Sequence, residues 1–319
     1  MLSLKNIALI LALSTLAVPV LASSFSPYAD LTINAHWDSR YQDMEPMDVT
    51  VSGAKSYHLA FITDAGSCLP AWGGQSSYAA NKKVAWGSHL TDAMRAKNID
   101  YIISLGGASG NDLSHSCSDK ELLNAYEEMI ITYLPKGLDF DIENGTANIE
   151  KVMRTLQQIQ HAHPDLTLSF ILPVLPEGLT SEGQQLVKQA KEAHLNYSVN
   201  IMAMDYGPAY TNDMGQYAIQ AATNLFQFLK TLYPEKSDAA LWQMIEVTPM
   251  IGVNDVNVEQ FTLTNVDTLR NFSKQYNLGG LSMWSVARDK PCADKWASPV
   301  CSGNNLQKKD YEFSERFMQ

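Results

Sequence analysis

Eight short β-rich apolar runs, helically periodic segments between most of them, and no Gly-rich turn after the first run predict an α/β chain folded as a single-domain (β/α)8 TIM barrel. The runs fall at 31–36, 57–63, 101–104, 138–142, 166–172, 198–204, 245–251 and 280–285. Helical periodicity without strong breakers covers 120–133, 149–161, 181–194, 215–232 and 266–276. Runs such as Leu-Thr-Leu-Ser-Phe-Ile-Leu at 166–172 suit parallel strands buried on both faces. An open doubly wound sheet usually needs a nucleotide-type turn after its first strand, and His36-Trp37-Asp38-Ser39-Arg40 offers none. Without a Pro/Gly/Ser linker or charge block to divide the chain, one domain is expected over 23–319.

Taken in chain order, residues 1–22 read as a secretory leader. Lys5 supplies the basic start, 7–13 the apolar stretch, and Val20 and Ala22 the small residues that a signal peptidase requires. Ser14, Thr15 and Pro19 interrupt the apolar run, so cleavage after Ala22 and export to an extracellular or periplasmic space are expected. No stretch of 18 or more apolar residues occurs elsewhere, which excludes a helical membrane span. The formal charge of −11 and the lack of a long Lys/Arg run argue against nucleic acid or an anionic membrane as partner. A monomer is expected.

Export gives meaning to the four cysteines, since an oxidising compartment lets thiols pair. Of the three possible connectivities, Cys68 with Cys117 and Cys292 with Cys301 is the expected one, each joining segments read as neighbouring loops. None has the C-x-x-C spacing of a zinc knuckle or a thioredoxin motif. His161 and His163 are the only close histidine pair, and two residues apart they face different sides of a helix. Neither a metal nor a cofactor is expected.

The run Gly137-Leu138-Asp139-Phe140-Asp141-Ile142-Glu143-Asn144 carries the most chemistry. Alternation along a strand puts Asp139, Asp141 and Glu143 on one face and Leu138, Phe140 and Ile142 on the other. The apolar face packs against helices, so the carboxylates point into the barrel, where one unpaired buried charge costs several kcal/mol. Stability cannot explain that arrangement. Four residues at about 3.3 Å each place Glu143 at the catalytic rim and Asp139 deep inside. Like charges at such spacing raise at least one pKa, which keeps a carboxylic acid protonated near neutrality. D-x-D-x-E also opens a calcium loop, and Glu150 sits at its twelfth position, but Asn144 replaces the required glycine and Pro135-Lys136-Gly137 breaks the incoming helix.

This run resembles the fourth barrel strand of glycoside hydrolase family 18, the chitinase family, whose motif is D-x-x-D-x-D-x-E. The match holds from Asp139 onward and departs at the first position, where Lys136 stands in place of Asp. Ser104-Leu105-Gly106-Gly107 looks like the family's S-x-G-G on strand three, and Met202-Ala203-Met204-Asp205-Tyr206 like its M-x-M-D-Y on strand six. Trp284 sits where the family places the floor of its sugar site. Pro70-Ala71-Trp72-Gly73-Gly74 and Met250-Ile251-Gly252-Val253-Asn254-Asp255 suggest the archaeal and bacterial ChiA-like branch.

The resemblance implies a chitinase that cleaves β-1,4 bonds in chitin or N-acetylglucosamine oligosaccharides with retention, the substrate's own 2-acetamido oxygen attacking the anomeric carbon. Glu143 is then the general acid and later the base, and Asp141 grips the acetamido N–H while Asp139 holds Asp141 from below. Tyr206 holds the attacking oxygen, Asp205 adds a polar contact, and Trp284 offers an apolar face to the sugar. Met204, Gly106 and Gly107 complete the binding set. Trp37, Trp72, Trp86 and Trp242 are candidates for an aromatic track. The alternatives are an endo-β-N-acetylglucosaminidase acting on N-glycans and a chitin-binding lectin on the same barrel. Retention of Glu143 speaks against the lectin.

Overall fold

The computed structural model describes residues 24–81 and 85–319. Its expected leader at 1–22 lies outside the described residues. Eight parallel segments close on themselves as β1 (Ser24–Phe25 and Tyr28–Asp30), β2 (Ser56–Asp64), β3 (Asp100–Gly106), β4 (Gly137–Asp141), β5 (Thr167–Leu175), β6 (Ser198–Ala203), β7 (Ile245–Pro249) and β8 (Gly280–Leu281). Closure runs through β1, whose first piece pairs with β8 and whose second pairs with β2. Pro27 splits it, having no N–H to give, yet its carbonyl still accepts from the His58 N–H at 3.0 Å.

The first strand therefore lies ahead of the expected 31–36. The Asp30 carboxylate accepts from both the N–H and the hydroxyl of Thr32, an Asx turn that ends the strand, and Asn34 then takes φ 61°. His36–Asp38 instead pairs with Asp43–Glu45 as a hairpin on the rim. A short 3₁₀ turn, Val49–Ser52, takes the place of a helix between β1 and β2.

Helices follow the other seven strands as α1 (Ser88–Ala96), α2 (Asp119–Tyr133), α3 (Ile149–Ala162), α4 (Ser181–Glu192), α5 (Met214–Leu232), α6 (Leu263–Tyr276) and α7 (Glu312–Met318). The five helices expected from periodicity are among them, their starts fixed by polar caps. Ser118 and Glu121 form a capping box at α2, and Thr262 and Asn265 do the same at α6, each worth about 1 kcal/mol.

Phe140 shows which way β4 faces. It is buried outside the barrel wall between Tyr126 of α2 and Phe170 of β5, at ring separations of 5.6 and 5.8 Å. The alternate residues point inward, and the interior is polar where barrels usually hold branched aliphatics. Thr248 donates to Asn200 at 2.7 Å, Asn200 to the Tyr28 hydroxyl at 3.2 Å, and Tyr28 to Asp139 at 2.7 Å, a chain that crosses the barrel.

Both expected disulfides form. Cys68–Cys117 ties the loops after β2 and β3, and Cys292–Cys301 closes the loop after β8, with Cα separations of 4.8 and 5.9 Å. No described helix is long and apolar enough to cross a membrane.

Candidate active site

A cavity of about 420 Å³ opens at the C-terminal ends of the strands, where barrel enzymes build their sites. Asp141, Glu143, Asp205 and Trp284 are among its lining residues, Asp141 at the end of β4, Glu143 just beyond it and Asp205 just beyond β6.

The two aspartates of β4 have opposite surroundings. Asp139 is fully buried below the cavity, and three neutral hydroxyls donate to it, from Tyr28 and Ser104 at 2.7 Å and from Ser169 at 2.5 Å. Asp141, one pleat higher and 6% exposed, keeps its Oδ1 buried without a hydrogen-bond partner. Burial, then the charges of Glu143 and Asp139, hold its carboxyl well above the ordinary carboxylate range. Asp139 accepts from these hydroxyls, and its charge is one of the causes that raise the Asp141 carboxyl above it.

Glu143 stands beyond the end of β4 at the cavity mouth, open to solvent on one side. Crowding by the walls, together with the charge of Asp205, raises its carboxyl. Asp205 is itself raised by burial, though it accepts from the Val256 N–H at 2.8 Å. Near it lies Arg288, fully buried and lowered to about 10 by that burial, with its Nη2 donating to the carbonyls of Ile251 and Val253 at 2.9 and 2.6 Å.

Trp284 lines the cavity, stacked at 5.6 Å and 23° on Phe61, another lining residue. Met204 also lines the cavity. Tyr206 does not. Asp205 adopts φ 52°, which turns the chain outward, and the Tyr206 ring packs at 5.7 and 5.9 Å against Tyr210 and Tyr217. Its buried hydroxyl has no partner there.

Gly106 and Gly107 are spacers rather than wall. At φ 98°, a Cβ on Gly106 would stand 2.1 Å from the Asp141 carbonyl oxygen, so only glycine lets the end of β3 approach β4. The Gly107 N–H then donates to that same carbonyl at 3.0 Å.

The expected aromatic track is not assembled. Trp72, Trp86 and Trp242 are core residues, packed on Tyr133, Tyr78 and Phe226, and of the four only Trp37 is exposed. Lys136 lies at the foot of β4, 3.8 Å from Asp100 on the surface and away from the acids. Sequence reasoning missed Tyr28, Phe61, Met250 and Asp255 as site residues. Tyr28 was hidden by the misplaced first strand, and Phe61 lies on an expected strand whose inward face sequence did not single out.

A closed parallel barrel with carboxylates graded from its interior to its mouth defines a glycosidase-type site. The chain is similar to the catalytic domain of the hyperthermophilic chitinase from Pyrococcus furiosus, 33% identical with a TM-score of 0.81 over 94% of this chain and 95% of that one. It therefore belongs to glycoside hydrolase family 18, the chitinase family. It is also 33% identical over 317 residues to the "Probable bifunctional chitinase/lysozyme" of Escherichia coli (strain K12), covering 92% of this chain and 34% of that protein. Endochitinase 11 of Metarhizium anisopliae is 33% identical over 290 residues, 84% of this chain and 53% of that protein. The chain thus spans about a third and about half of the lengths of these two curated relatives. No family model matches it.

Proposed function

We propose that the protein is a secreted, endo-acting chitinase that hydrolyses β-1,4 bonds between N-acetylglucosamine units with retention. Residues 23–319 act as one catalytic barrel after a leader is cleaved near Ala22. Two disulfides support an oxidising compartment. The observation that carries the reading is the buried, unpartnered Oδ1 of Asp141 on the cavity wall, an acceptor that matches an acetamido N–H.

Trp284 offers an apolar face to the sugar, and Asp141 turns the acetamido oxygen toward the anomeric carbon. Glu143 gives its proton to the glycosidic oxygen as the C–O bond breaks and the acetamido oxygen bonds to the anomeric carbon. The positive oxazolinium that results is stabilised by Asp141. Water then enters where the leaving sugar stood, loses a proton to Glu143, and bonds to the anomeric carbon as the ring opens. Two displacements retain the configuration, and Glu143 ends protonated as it began. Tyr206 has no part in this scheme.

Chitohexaose and cellohexaose test the reading together, with products followed by mass spectrometry and their anomeric form by NMR. Chitohexaose should be shortened to β-configured products. Cellohexaose, with only a 2-hydroxyl, should survive, and comparable cleavage of both would mean that a protein carboxylate is the nucleophile.

A further inference from the structure

An acid that protonates the glycosidic oxygen has to stand at a fixed place, yet β4 itself does not hold Glu143. The strand ends at Asp141, and the backbone bond that follows runs from the Ile142 N–H to the Ile171 carbonyl at 3.3 Å. Glu143 lies beyond it, so its position depends on the loop 144–148 that leads into α3.

That loop is fastened to the one after β3. Asn144, next in the chain after Glu143, donates from its side-chain Nδ2 to the Gly107 carbonyl at 2.8 Å and to the Gly110 carbonyl at 3.0 Å. Its Oδ1 accepts from the Thr146 N–H at 3.1 Å and from the Thr146 hydroxyl at 2.7 Å, an Asx turn. Two carbonyls that only accept and an N–H that only donates fix which end of the amide is which. The Thr146 hydroxyl oxygen in turn accepts from the Asp112 N–H at 2.9 Å. Further on, the Asn148 N–H donates to the Ser114 hydroxyl at 2.7 Å, and Lys151 Nζ to the Ser114 carbonyl at 2.9 Å.

The loop after β3 is itself well held. The Gly107 N–H donates to the Asp141 carbonyl at 3.0 Å, the Asp64 N–H to the Asn111 carbonyl at 2.9 Å, and Cys117 is bonded to Cys68. Ala108, between the two carbonyls that Asn144 grips, lines the catalytic cavity together with Glu143.

We propose that Asn144 is a positioning residue, a clamp that fastens the end of β4 to the 107–110 turn and so fixes where Glu143 stands relative to Asp141 and the glycosidic oxygen. The inference rests on the reading of Glu143 as the general acid. Aspartate at 144 would keep the turn to Thr146 but has no hydrogen for either glycine carbonyl, and alanine would keep neither. Asn144 is exposed, so water can replace the lost partners in a variant, and the cost falls on alignment more than on stability.

The test compares kcat/KM on chitohexaose with kcat/KM on 4-nitrophenyl chitobioside, whose 4-nitrophenolate departs with little help from a proton. In both, kcat/KM covers the steps up to the first bond cleavage, the one in which Glu143 acts as an acid. Asn144→Ala should lower it about tenfold on chitohexaose and less than about twofold on the nitrophenyl substrate, with Tm within a few degrees of wild type. Thr146→Val, which removes one support of Asn144, should show the same selectivity at about threefold, and Thr146→Ser, which keeps the hydroxyl, should match wild type. Glu143→Gln, run alongside, should be the most selective of all.

Equal losses on both substrates in Asn144→Ala, or no loss on either, with Glu143→Gln still selective, would overturn the clamp alone. Should Asn144→Ala not fold, the two Thr146 variants decide by the same ratio. Glu143→Gln without selectivity, or wild-type protein inactive on both substrates, would overturn the reading of Glu143 and the proposal with it.

Discussion

The ends of β4 and β6 meet at one cavity yet deliver their side chains in opposite ways. Beyond Asp141, β4 leads on to Glu143, and both acids line the cavity above the buried Asp139. At Asp205, β6 enters the left-handed region, so Asp205 stays on the cavity wall while Tyr206 leaves it for a cluster of tyrosines. One residue in an uncommon backbone state marks the point where two adjacent polar side chains part, one onto the cavity wall and one into the tyrosine cluster.

The largest effect should come from the outermost acid of β4. Glu143→Gln keeps the shape and removes the proton that departure of the leaving sugar requires, so kcat on chitohexaose should fall by about a thousandfold with Tm unchanged. Turnover near wild type would remove Glu143 from the mechanism. Asp141→Ala should follow, at about a hundredfold, because the acetamido group loses the acceptor that orients it. A change confined to KM would show that Asp141 binds substrate without aligning it.

Asp205 links the two strand ends, since its charge is one of the causes that raise the Glu143 carboxyl. Glu143 must be protonated to act as an acid, so activity is lost as pH rises through its raised pKa. Asp205→Asn takes away the neighbouring anion and eases ionisation of Glu143. The alkaline limb of kcat/KM should therefore move to lower pH, by about half a unit to one unit. An unmoved limb would mean that the two strand ends share a cavity without sharing charge.

The sequence made β4 legible because its chemistry and its period agree. Three acids alternating with Leu138, Phe140 and Ile142 leave a parallel strand only one way to face. The helices were legible for the same reason, and the loop-closing cysteines because neighbouring loops leave few partners. What stayed hidden depends on single backbone torsions or on which side of a wall a ring lies. Pro27 splits β1 and shifts it ahead of the more regular run at 31–36. Trp72 and Trp242 are as aromatic as Trp284, but they face helices and core instead of the cavity, a distinction that residue type alone does not carry. At the end of β6 the turn could have been anticipated from Gly207-Pro208, which punctuates the chain directly after Tyr206.

The smallest expected effect sharpens the comparison most, because family resemblance and geometry disagree about it. Resemblance gives the Tyr206 hydroxyl the attacking oxygen to hold, and its loss would then cost about a hundredfold, as other losses of an aligned donor do. The geometry buries that hydroxyl away from the cavity without a partner, its proton held well above the ordinary tyrosine range by burial and by Glu259. A buried polar group with no partner carries a desolvation cost of roughly 1–3 kcal/mol, and phenylalanine does not pay it. Tyr206→Phe should therefore keep kcat on chitohexaose within about threefold of wild type and leave Tm equal or higher. A fall near a hundredfold with unchanged Tm would show that the ring swings into the cavity when substrate binds, against the packing seen here.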